Sequence, residues 1–408
     1  MYQAHKLALA VALLAASAAQ AKPTAEVIHW WTSGGESAAV KQLAQAYRNA
    51  GGVWTDTAIA GGDQARAVTL NRMVGGNPPT AAQFNTSKQF LDVIEQGMLA
   101  NVDDIAVRER WDQVLPEPIV KVIKVDGHYY AVPLNIHMQA WIWYSKAAFK
   151  KAGIAREPAS VDELFAALDK LKAAGIVGLA HGGQSWQETI LFSSMLANLG
   201  GKDLYLRVLR ERDQRAIGSD AFKKVLVAFK RLKAYVDPGA PGRNWNDATA
   251  MLINGKAGVQ IMGDWAKGEF TAARQTPGQH YGCIAGLGPA APYLIQGDVF
   301  VFPKSGNPNV VQAQKLLASV ITAPATQLSF SQYKGSIPVR PDADPSKADA
   351  CARQGMAIMK DRSRHLGVTE VYLTPDQNGA MQDVLTAFWN TGMTVEQAQK
   401  RIAGALRD

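Results

Sequence analysis

The sequence predicts an α/β protein built as two lobes or domains, and three observations support this. Short apolar strands alternate with helices at the spacing of βαβ units between residues 27 and 99. An extended aromatic run over residues 125–145 then interrupts the pattern, and a second set of strands follows it. The length of 408 residues suits two or three domains, or one large two-lobed architecture.

The first elements follow from hydrophobic periodicity. Residues 27–31 form a predicted buried strand that ends in turn residues. Apolar side chains then recur at helical spacing from Val40 to Tyr47, which predicts a helix over residues 36–52. This spacing favours a mostly parallel sheet that is covered by helices on both faces. The later elements predicted in this region are strands over 53–62 and 81–85 and helices over 64–80 and 87–99.

The second half of the chain adds another set of elements. Gly127 marks the turn of a hairpin-like segment, and the aromatic run behind it could pass from one lobe to the next. The predicted strands lie over 257–263, 281–288 and 298–303, and the predicted helices over 161–174, 188–199, 222–235, 245–254, 310–320, 350–360 and 379–389.

Residues 1–21, MYQAHKLALAVALLAASAAQA, have the features of a cleavable signal peptide. His5 and Lys6 give a basic start, an apolar stretch follows, and Ala19 and Ala21 form the small-x-small pattern before the cut. The apolar stretch is too short to span a bilayer as a stable helix, which argues against a permanent anchor. We therefore expect this segment to be removed and the mature protein to be exported and soluble.

Charge and cysteine content narrow the class of protein. The net charge of +8 comes from basic residues scattered over helix-like segments, which is typical of solvated helix faces and argues against nucleic-acid binding. The two cysteines are Cys283 and Cys351. Export permits a disulfide between them, but one pair in so long a chain does not establish it.

The sequence lacks the familiar motifs of catalysis and metal binding. There is no Walker loop, Gly-x-Ser-x-Gly elbow or HExxH spacing. His181, at a predicted strand end, is more typical of a hydrogen-bonding residue than of a base. We therefore expect a protein that is not an enzyme and uses no metal or cofactor. A secreted carbohydrate-active enzyme is the alternative, because two catalytic carboxylates need leave no spacing signature.

Tryptophan is the most informative residue type. The chain has 10 Trp, and several stand near predicted turns. An indole offers a flat apolar face and one N–H, which suits the C–H face of a pyranose, whereas a core can be built from Leu and Ile. Trp141 and Trp143 alternate on an apolar strand and are predicted to be core residues. Trp30, Trp31 and Trp265 follow predicted strands, which favours contact with a ligand.

The stretch VIHWWTSGGE contains two adjacent tryptophans and raises a geometric problem. Successive strand residues point to opposite faces, so one sheet face cannot bury both Trp30 and Trp31. The pair makes sense if the strand has ended and the chain is turning through residues 32–35. In that turn both rings could face a ligand, or one ring could stack on the ligand while the other forms a side of the binding pocket.

Six motifs occur in order along the chain and carry a family resemblance. They are VIHWWTSGGE, GNPPTAAQFN, YAVPLNIH, LAHGGQSWQE, PGRNWNDATAMLINGKAGVQIMGDWAKGEF and KGSIPVR. Together they resemble the sugar-binding proteins of bacterial ABC importers, which are extracellular solute-binding proteins, and most closely the periplasmic glucose-binding proteins. The resemblance runs over nearly all of the chain that follows the predicted leader.

The resemblance implies a periplasmic-binding-protein-like α/β fold, with two lobes around a hinge and a central sugar cleft. The N-terminal lobe would comprise residues 22–134 plus 287–332, and the C-terminal lobe residues 135–286 plus 333–408. It also implies a periplasmic location, a monosaccharide ligand such as glucose, permease subunits in the inner membrane as partners, and a monomeric protein. A sensor that presents the sugar to a chemoreceptor is a further alternative.

The resemblance also assigns the ligand contacts, residue by residue. Trp30 and Trp31 match residues that pack on the sugar, while Asp298 and Lys334 match a carboxylate and an ammonium that bind hydroxyls. The full set of implied ligand-binding residues is Trp30, Trp31, Glu36, Gln83, Asn85, His137, Trp245, Trp265, Asp298 and Lys334.

Two positions depart from the pattern of the glucose-binding proteins. Those proteins place a basic residue where this chain has Asn85, and Lys88 cannot be assumed to replace it. Near the C-terminus they carry a His-Gly pair where this chain has Thr369 or Glu370, with His365 a second choice. A site built to bind a hydroxyl discriminates against analogues that leave its polar groups unpaired. These departures therefore leave the identity of the sugar open.

Overall fold

The computed structural model describes residues 22–407, and the predicted leader lies outside the described residues. The strands are β1 Thr24–His29, β2 Val53–Ala58, β3 Ala81–Asn85, β4 Lys124–Val125, β5 His128–Tyr129, β6 Ala131–Pro133, β7 Asn135–Met138, β8 Trp141–Ser145, β9 Val177–Leu179, β10 Ala257–Met262, β11 Tyr281–Ile284, β12 Tyr293–Gln296, β13 Asp298–Val301, β14 Ile337–Pro338 and β15 His365–Gly367.

The α-helices are α1 Gly34–Asn49, α2 Gly62–Val74, α3 Leu91–Glu95, α4 Asp103–Arg108, α5 Trp111–Val114, α6 Glu117–Ile123, α7 Lys146–Lys151, α8 Val161–Ala173, α9 Ser185–Leu209, α10 Gln214–Ile217, α11 Asp220–Leu232, α12 Trp245–Ile253, α13 Ala266–Ala272, α14 Pro308–Thr322, α15 Pro324–Lys334, α16 Ala350–Ile358, α17 Thr369–Tyr372, α18 Pro375–Asn390 and α19 Val395–Ala405. Short 3-10 helices cover Lys88–Phe90, Lys233–Tyr235, Pro345–Lys347 and Arg362–Arg364.

The first lobe is organised around a five-stranded sheet with the order β2-β1-β3-β13-β6. β1 pairs in parallel with β2 and β3, as βαβ units require, and α1, α14 and α15 pack beside them. β13 runs antiparallel to both β3 and β6. The expected parallel arrangement is confirmed for β1, β2 and β3, but the sheet as a whole is half antiparallel, because β13 joins it after the chain has passed through the other lobe.

The second lobe is organised around a four-stranded sheet with the order β11-β8-β10-β9. β8, between β11 and β10, carries Trp141 and Trp143, which are fully buried, and this confirms the prediction that they are core residues. Cys283 on β11 forms a disulfide with Cys351 on α16. The sequence alone left open whether these two cysteines pair. The disulfide links helix α16, near the C-terminus, to the sheet of the second lobe.

A third sheet, called here the connecting sheet, has the order β14-β7-β12-β15. Each connection between the lobes contributes a strand to it. The chain leaves the first lobe through β7, returns through β12 and leaves again through β14. The boundary predicted at residues 286 and 287 falls in the segment between β11 and β12, and the lobe boundaries stay a prediction.

No helix among residues 22–407 is long and apolar enough to cross a membrane.

Candidate functional site

The doubled tryptophans lie in the turn between β1 and α1. β1 ends at His29, whose Nδ1 accepts a hydrogen bond of 3.2 Å from the backbone N–H of Trp31. Ser33 then caps α1, because its hydroxyl accepts from the backbone N–H of Glu36 while the Glu36 carboxylate accepts from the backbone N–H of Ser33. Trp30 and Trp31 therefore follow the end of the strand, so the alternation of strand side chains does not set their directions. The environments of the two rings differ.

The Trp31 ring belongs to the core of the first lobe. It is 2 % exposed and packs on His29, Phe300 and Phe330, with ring centroids 5.1 to 5.7 Å away. This corrects the expectation that its face packs on a sugar, because neighbouring rings already surround it. Its Nε1 has no hydrogen-bond partner among the described residues.

Trp30 stays at the surface of the site. Its ring is half-buried, and the guanidinium of Arg66 lies 5.7 Å from the ring centroid. Its backbone N–H donates to Gln83 Oε1 at 3.0 Å, which fixes the turn on β3. Of the two adjacent indoles, Trp30 is the one that can offer a face to a ligand.

Asp298 is the polar centre of the site. It lies on β13 opposite Asn85 of β3, where the first sheet meets the connecting sheet. Its Oδ1 accepts from Gln83 Nε2 at 2.9 Å, and its Oδ2 accepts from Asn135 Nδ2 at 2.9 Å and from His137 Nε2 at 2.7 Å. A carboxylate can accept about four hydrogen bonds. One acceptor position, on Oδ1, is left for a further donor.

The surroundings of Asp298 keep it ionised at neutral pH. Burial alone would raise the pKa of this carboxyl, but His137, Lys334 and Asn135 outweigh burial and lower the pKa to about 2. Asp298 is therefore a hydrogen-bond acceptor and not a donor at physiological pH.

His137 lies between two carboxylates. Its Nε2 bonds to Asp298 and its Nδ1 bonds to Asp264, which stands in the loop after β10 of the second sheet. Burial alone would lower the pKa of the imidazole, but the two carboxylates raise it to about 9. Both ring nitrogens are thus occupied, and this corrects the expectation that His137 contacts the ligand directly.

Lys334 ends α15 and forms a buried ion pair with Glu36 of α1, at 2.7 Å between Nζ and Oε1. The other Glu36 oxygen accepts the backbone N–H groups of Thr32 and Ser33. Glu36 therefore supports the turn and the ammonium, and its assignment as a direct contact stays a prediction. An ammonium has three donors, and Glu36 is the one hydrogen-bond partner of Lys334 among the described residues. Lys334 also lies 5.8 Å from the ring centroid of Trp265.

Gln83 is likewise a supporting residue. It is buried, its oxygen holds Trp30 and its nitrogen holds Asp298. Its amide thus serves two residues of the site with one acceptor and one donor position, and its assignment as a direct ligand contact stays a prediction.

Trp265 and Trp186 form an aromatic wall on the second lobe. Trp265 precedes α13, is half-buried and meets the edge of His137 at a centroid distance of 5.3 Å. Trp186 lies near the start of α9, with its ring 6.2 Å from that of Trp265. Trp186 was not among the predicted contacts, although the motif LAHGGQSWQE contained it. Trp245 is half-buried at the start of α12, and no ring contact among the described residues links it to this wall.

The positions that depart from the glucose-binding pattern lie around α17. Gln296 of β12 donates to Glu370 Oε2 at 2.5 Å, and Lys88 of the first lobe donates to the carbonyl of Tyr372 at 3.2 Å. Burial raises the pKa of Glu370, and Arg66 opposes this effect. Asn85 is half-buried, and its side-chain amide makes no hydrogen bond within the described residues.

His365 is not part of the hydrogen-bonded contacts around α17, and its two ring nitrogens make no hydrogen bond among the described residues. It pairs with Tyr293 on the strands β15 and β12, and Thr369 at the start of α17 is buried. Glu370, rather than His365, therefore presents an ionisable group where the departure was predicted.

The site thus draws on the sheets of both lobes and on the connecting sheet. A continuous set of contacts runs from Trp30 through Gln83, Asp298 and His137 to Trp265, and Lys334 joins it to Glu36. The groups of the site that remain open to a ligand are the ring faces of Trp30 and Trp265, one acceptor position of the Asp298 carboxylate and the ammonium of Lys334. Among residues 22–407, no group of three or more His, Cys, Asp or Glu side chains is arranged to hold a metal ion.

Comparison with known proteins identifies similar chains. The family described as bacterial extracellular solute-binding protein matches residues 31–327. A protein of Brucella melitensis named "Probable sugar-binding periplasmic protein" is 40% identical over 408 residues, which covers 97% of this chain and 96% of the relative.

Two solved structures are similar in fold at lower identity. The bacterial solute receptor AcbH, described as preferring β-D-galactopyranose, has a TM-score of 0.79 at 20% identity and covers 93% of this chain and 97% of its own. A chitin oligosaccharide binding protein has a TM-score of 0.78 at 18% identity and covers 94% of this chain and 98% of its own.

Proposed function

This chain belongs to the bacterial extracellular solute-binding protein family, and from that premise we propose that it is the periplasmic sugar-binding component of an ABC importer. It captures a monosaccharide, glucose or a related sugar, and delivers it to permease subunits in the inner membrane. The name of the Brucella melitensis relative supports the sugar and the periplasmic location. We propose that the protein acts as a monomer and without a cofactor.

The observation that carries this proposal is the combination of open groups around Asp298. Its free acceptor position and the unpaired donors of Lys334 lie within one connected set of contacts, beside the Trp265 ring. A sugar hydroxyl can both donate and accept, so it can bind the carboxylate and the ammonium together. The indole faces suit the C–H surface of a pyranose ring.

Direct contacts and supporting residues can be separated on this basis. We assign Trp30, Trp265, Asp298, Lys334 and Asn85 to direct contact with the sugar, because each keeps an open face or an unfilled hydrogen-bonding position. Additional aromatic contacts are assigned to Trp186 and Trp245, and supporting roles to Trp31 and His137. Glu36 and Gln83 support the site and each also keeps an unfilled hydrogen-bonding position for the sugar.

Closure of the two lobes is the mechanism that we propose for capture. The lobes comprise residues 22–134 plus 287–332 and residues 135–286 plus 333–408, and the connecting sheet lies between them. A sugar that contacts both lobes only in the closed form stabilises that form by its differential affinity. The backbone N–H of Gly35 donates to Glu269 Oε1 at 2.9 Å, so α1 and α13 are in contact in this structure.

Asn85 and Glu370 are the residues that we propose select the sugar. Glu370 offers a carboxyl group where the glucose-binding proteins place a histidine, and Asn85 offers a neutral amide in place of a cation. These groups pair with different hydroxyl orientations. Epimers of one hexose should therefore differ in affinity, and Glu370→Gln should change their order.

A sugar panel tests the binding proposal. Hexoses, pentoses, polyols and disaccharides are screened by thermal shift with the purified protein, and hits are titrated by calorimetry. We expect at least one monosaccharide to bind with micromolar or tighter affinity and to be recovered unchanged. Asp298→Asn should abolish binding, while the exposed control Asp169→Asn should not. The proposal fails if no sugar binds, and turnover of a sugar would favour an enzyme.

Delivery to a permease is tested separately in cells. Deletion of the gene should stop uptake of the radiolabelled sugar identified in the panel, and the intact gene should restore it. The Asp298→Asn gene should not. Normal uptake by the deletion strain together with lost chemotaxis to that sugar would identify a sensor instead.

A further inference from the structure

We propose that His137 is a positioning residue that couples the two walls of the cleft: its ring, protonated on both nitrogens, holds Asp298 of the first lobe and the Asp264–Trp265 segment of the second lobe in one geometry. The proposal rests on the function proposed above and adds how the site is held and what pH does to it. His137 is buried on β7 of the connecting sheet, between the two lobes.

Hydrogen-bond chemistry fixes the protonation of His137. Nε2 lies 2.7 Å from Asp298 Oδ2, and Nδ1 is within hydrogen-bonding distance of Asp264 Oδ1. An ionised carboxylate accepts and cannot donate, so each ring nitrogen must supply a proton. A neutral imidazole has one N–H and can satisfy only one of the two aspartates. The full arrangement therefore needs the imidazolium.

Asp264 transmits this geometry to the aromatic wall. Its Oδ2 accepts the backbone N–H of Met138 at 3.1 Å, and its own N–H donates to the Met138 carbonyl at 3.1 Å. The loop is thereby fixed to the end of β7. Trp265 is the next residue, and its ring meets the edge of His137. A change in the His137–Asp264 contact therefore shifts the backbone of Trp265, whose indole we assign to direct contact with the sugar.

The charges around His137 favour its cationic form. Two carboxylates, Asp264 and Asp298, bond to the ring, and Lys334 lowers the pKa of Asp298 from the other side while it pairs with Glu36. Burial, reinforced by the charge of Asp264, raises the pKa of the Tyr293 phenol. With both carboxylates in place, the pKa of His137 is raised to about 9, so the imidazolium persists through the neutral range.

Asp264→Asn is the informative variant, because it keeps the shape and removes one of the two carboxylates. The His137 titration should then move down into the neutral range. Sugar affinity of the native protein should change less than about twofold between pH 6 and pH 8. In the variant, the amide oxygen must keep accepting the backbone N–H of Met138, so the amide N–H₂ faces His137 Nδ1 and fits the neutral ring protonated at Nε2. Affinity should therefore be highest at pH 8 and fall about tenfold toward pH 6, because only the neutral fraction is competent. Asp103→Asn removes the partner of the exposed His128 and is the control, with a flat profile.

Two further measurements keep the test decisive. In His137→Gln, affinity should be lower and independent of pH from 6 to 8, while circular dichroism shows a native fold. NMR of the histidine rings in the sugar-free native protein should show His137 with two N–H protons at pH 7, and in Asp264→Asn this signal should titrate near neutrality.

The outcomes separate this proposal from the proposed function. A neutral His137 at pH 7 in the native protein, or an Asp264→Asn variant whose affinity loss does not depend on pH, overturns the positioning role. A native protein that binds no sugar overturns the proposed function and with it the coupling to sugar affinity. The NMR titration still shows in that case whether His137 bridges the two aspartates as an imidazolium.

Discussion

Lys334 and Glu36 are 298 positions apart in the sequence, and their side chains form a buried ion pair at 2.7 Å. The pair joins the end of α15 to the first turn of α1. Glu36 also holds the turn that carries the two tryptophans, through the backbone N–H groups of Thr32 and Ser33. One contact thus links the helix cap, the tryptophan turn and the ammonium that we assign to the sugar.

Lys334→Met should destabilise the protein as well as weaken sugar binding. It leaves the buried Glu36 carboxylate without its cation, and breaking one partner of a buried pair costs roughly 3–5 kcal/mol of unfolding free energy. Urea unfolding measures this cost. Adding Glu36→Gln to Lys334→Met should recover part of the loss. Lys223→Met breaks an exposed pair with Glu396 and should cost less than about 1 kcal/mol. If Lys334→Met lowers the free energy of unfolding by no more than Lys223→Met does, the ion pair between Lys334 and Glu36 does not stabilise the fold as proposed.

The two adjacent tryptophans should respond differently to truncation. Trp31→Ala removes a core ring and should lower the free energy of unfolding by roughly 3–5 kcal/mol. Trp30→Ala should leave stability within about 1 kcal/mol and weaken sugar binding by about 1–3 kcal/mol, as an interface aromatic does. Chemical denaturation and calorimetry measure the two effects. Equal loss of stability in both variants would place both rings in the core.

Gly268→Ala should disturb the base of the cleft. A Cβ at this position would lie 2.6 Å from the carbonyl oxygen of Tyr333, and the backbone of Gly268 already touches Gly35 of α1. Because the obstacle is backbone, α13 must shift and carry Trp265 with it. We expect about 1–3 kcal/mol of lost stability together with weaker sugar binding. Gly379→Ala, where the added carbon meets nothing within 4 Å, is the helical control and should not destabilise the protein.

His181 should make the protein less stable in mild acid. Burial, reinforced by Arg243, lowers its pKa to about 3, so the folded protein keeps it neutral while the unfolded chain protonates it near pH 6.5. Stability is therefore full above pH 6.5 and falls as the pH drops toward 3. Between pH 6.5 and 4.5 the loss should be about 2–3 kcal/mol. Urea unfolding of His181→Gln should show a flatter pH dependence, whereas exposed His128→Gln should keep the native slope.

Loss of the disulfide should reduce stability without changing the site. Cys283 and Cys351 close a loop with a sequence separation of 68, for which chain entropy predicts a contribution of about 4 kcal/mol. Melting curves with and without reductant, and of a Cys283→Ser/Cys351→Ser variant, measure it. Sugar affinity below the melting temperature should stay unchanged. A loss of affinity in a folded, reduced protein would show that α16 positions the cleft.

The sequence by itself determined the local elements and the residue types of the site. Predicted β3 matches the observed Ala81–Asn85, and the alternation on β8 identified Trp141 and Trp143 as core. Helix and strand signals are local, so periodicity and caps reveal them. The motifs also named Asp298 and Lys334, whose geometry fits the proposed contacts.

Only the tertiary structure decided which of these side chains still have an open face or hydrogen-bonding position. His137 has the right chemistry for a sugar, but both of its ring nitrogens are bonded to aspartates distant in sequence, and distant residues also fill part of the hydrogen-bonding positions of Glu36 and Gln83. Asp264 and Trp186 lie inside quoted motifs, but their roles depend on contacts with His137 and Trp265 that only the folded chain brings about. The residue type determines which partners a side chain can bind. The packing of the sheets determines which of its hydrogen-bonding positions are already filled by other residues.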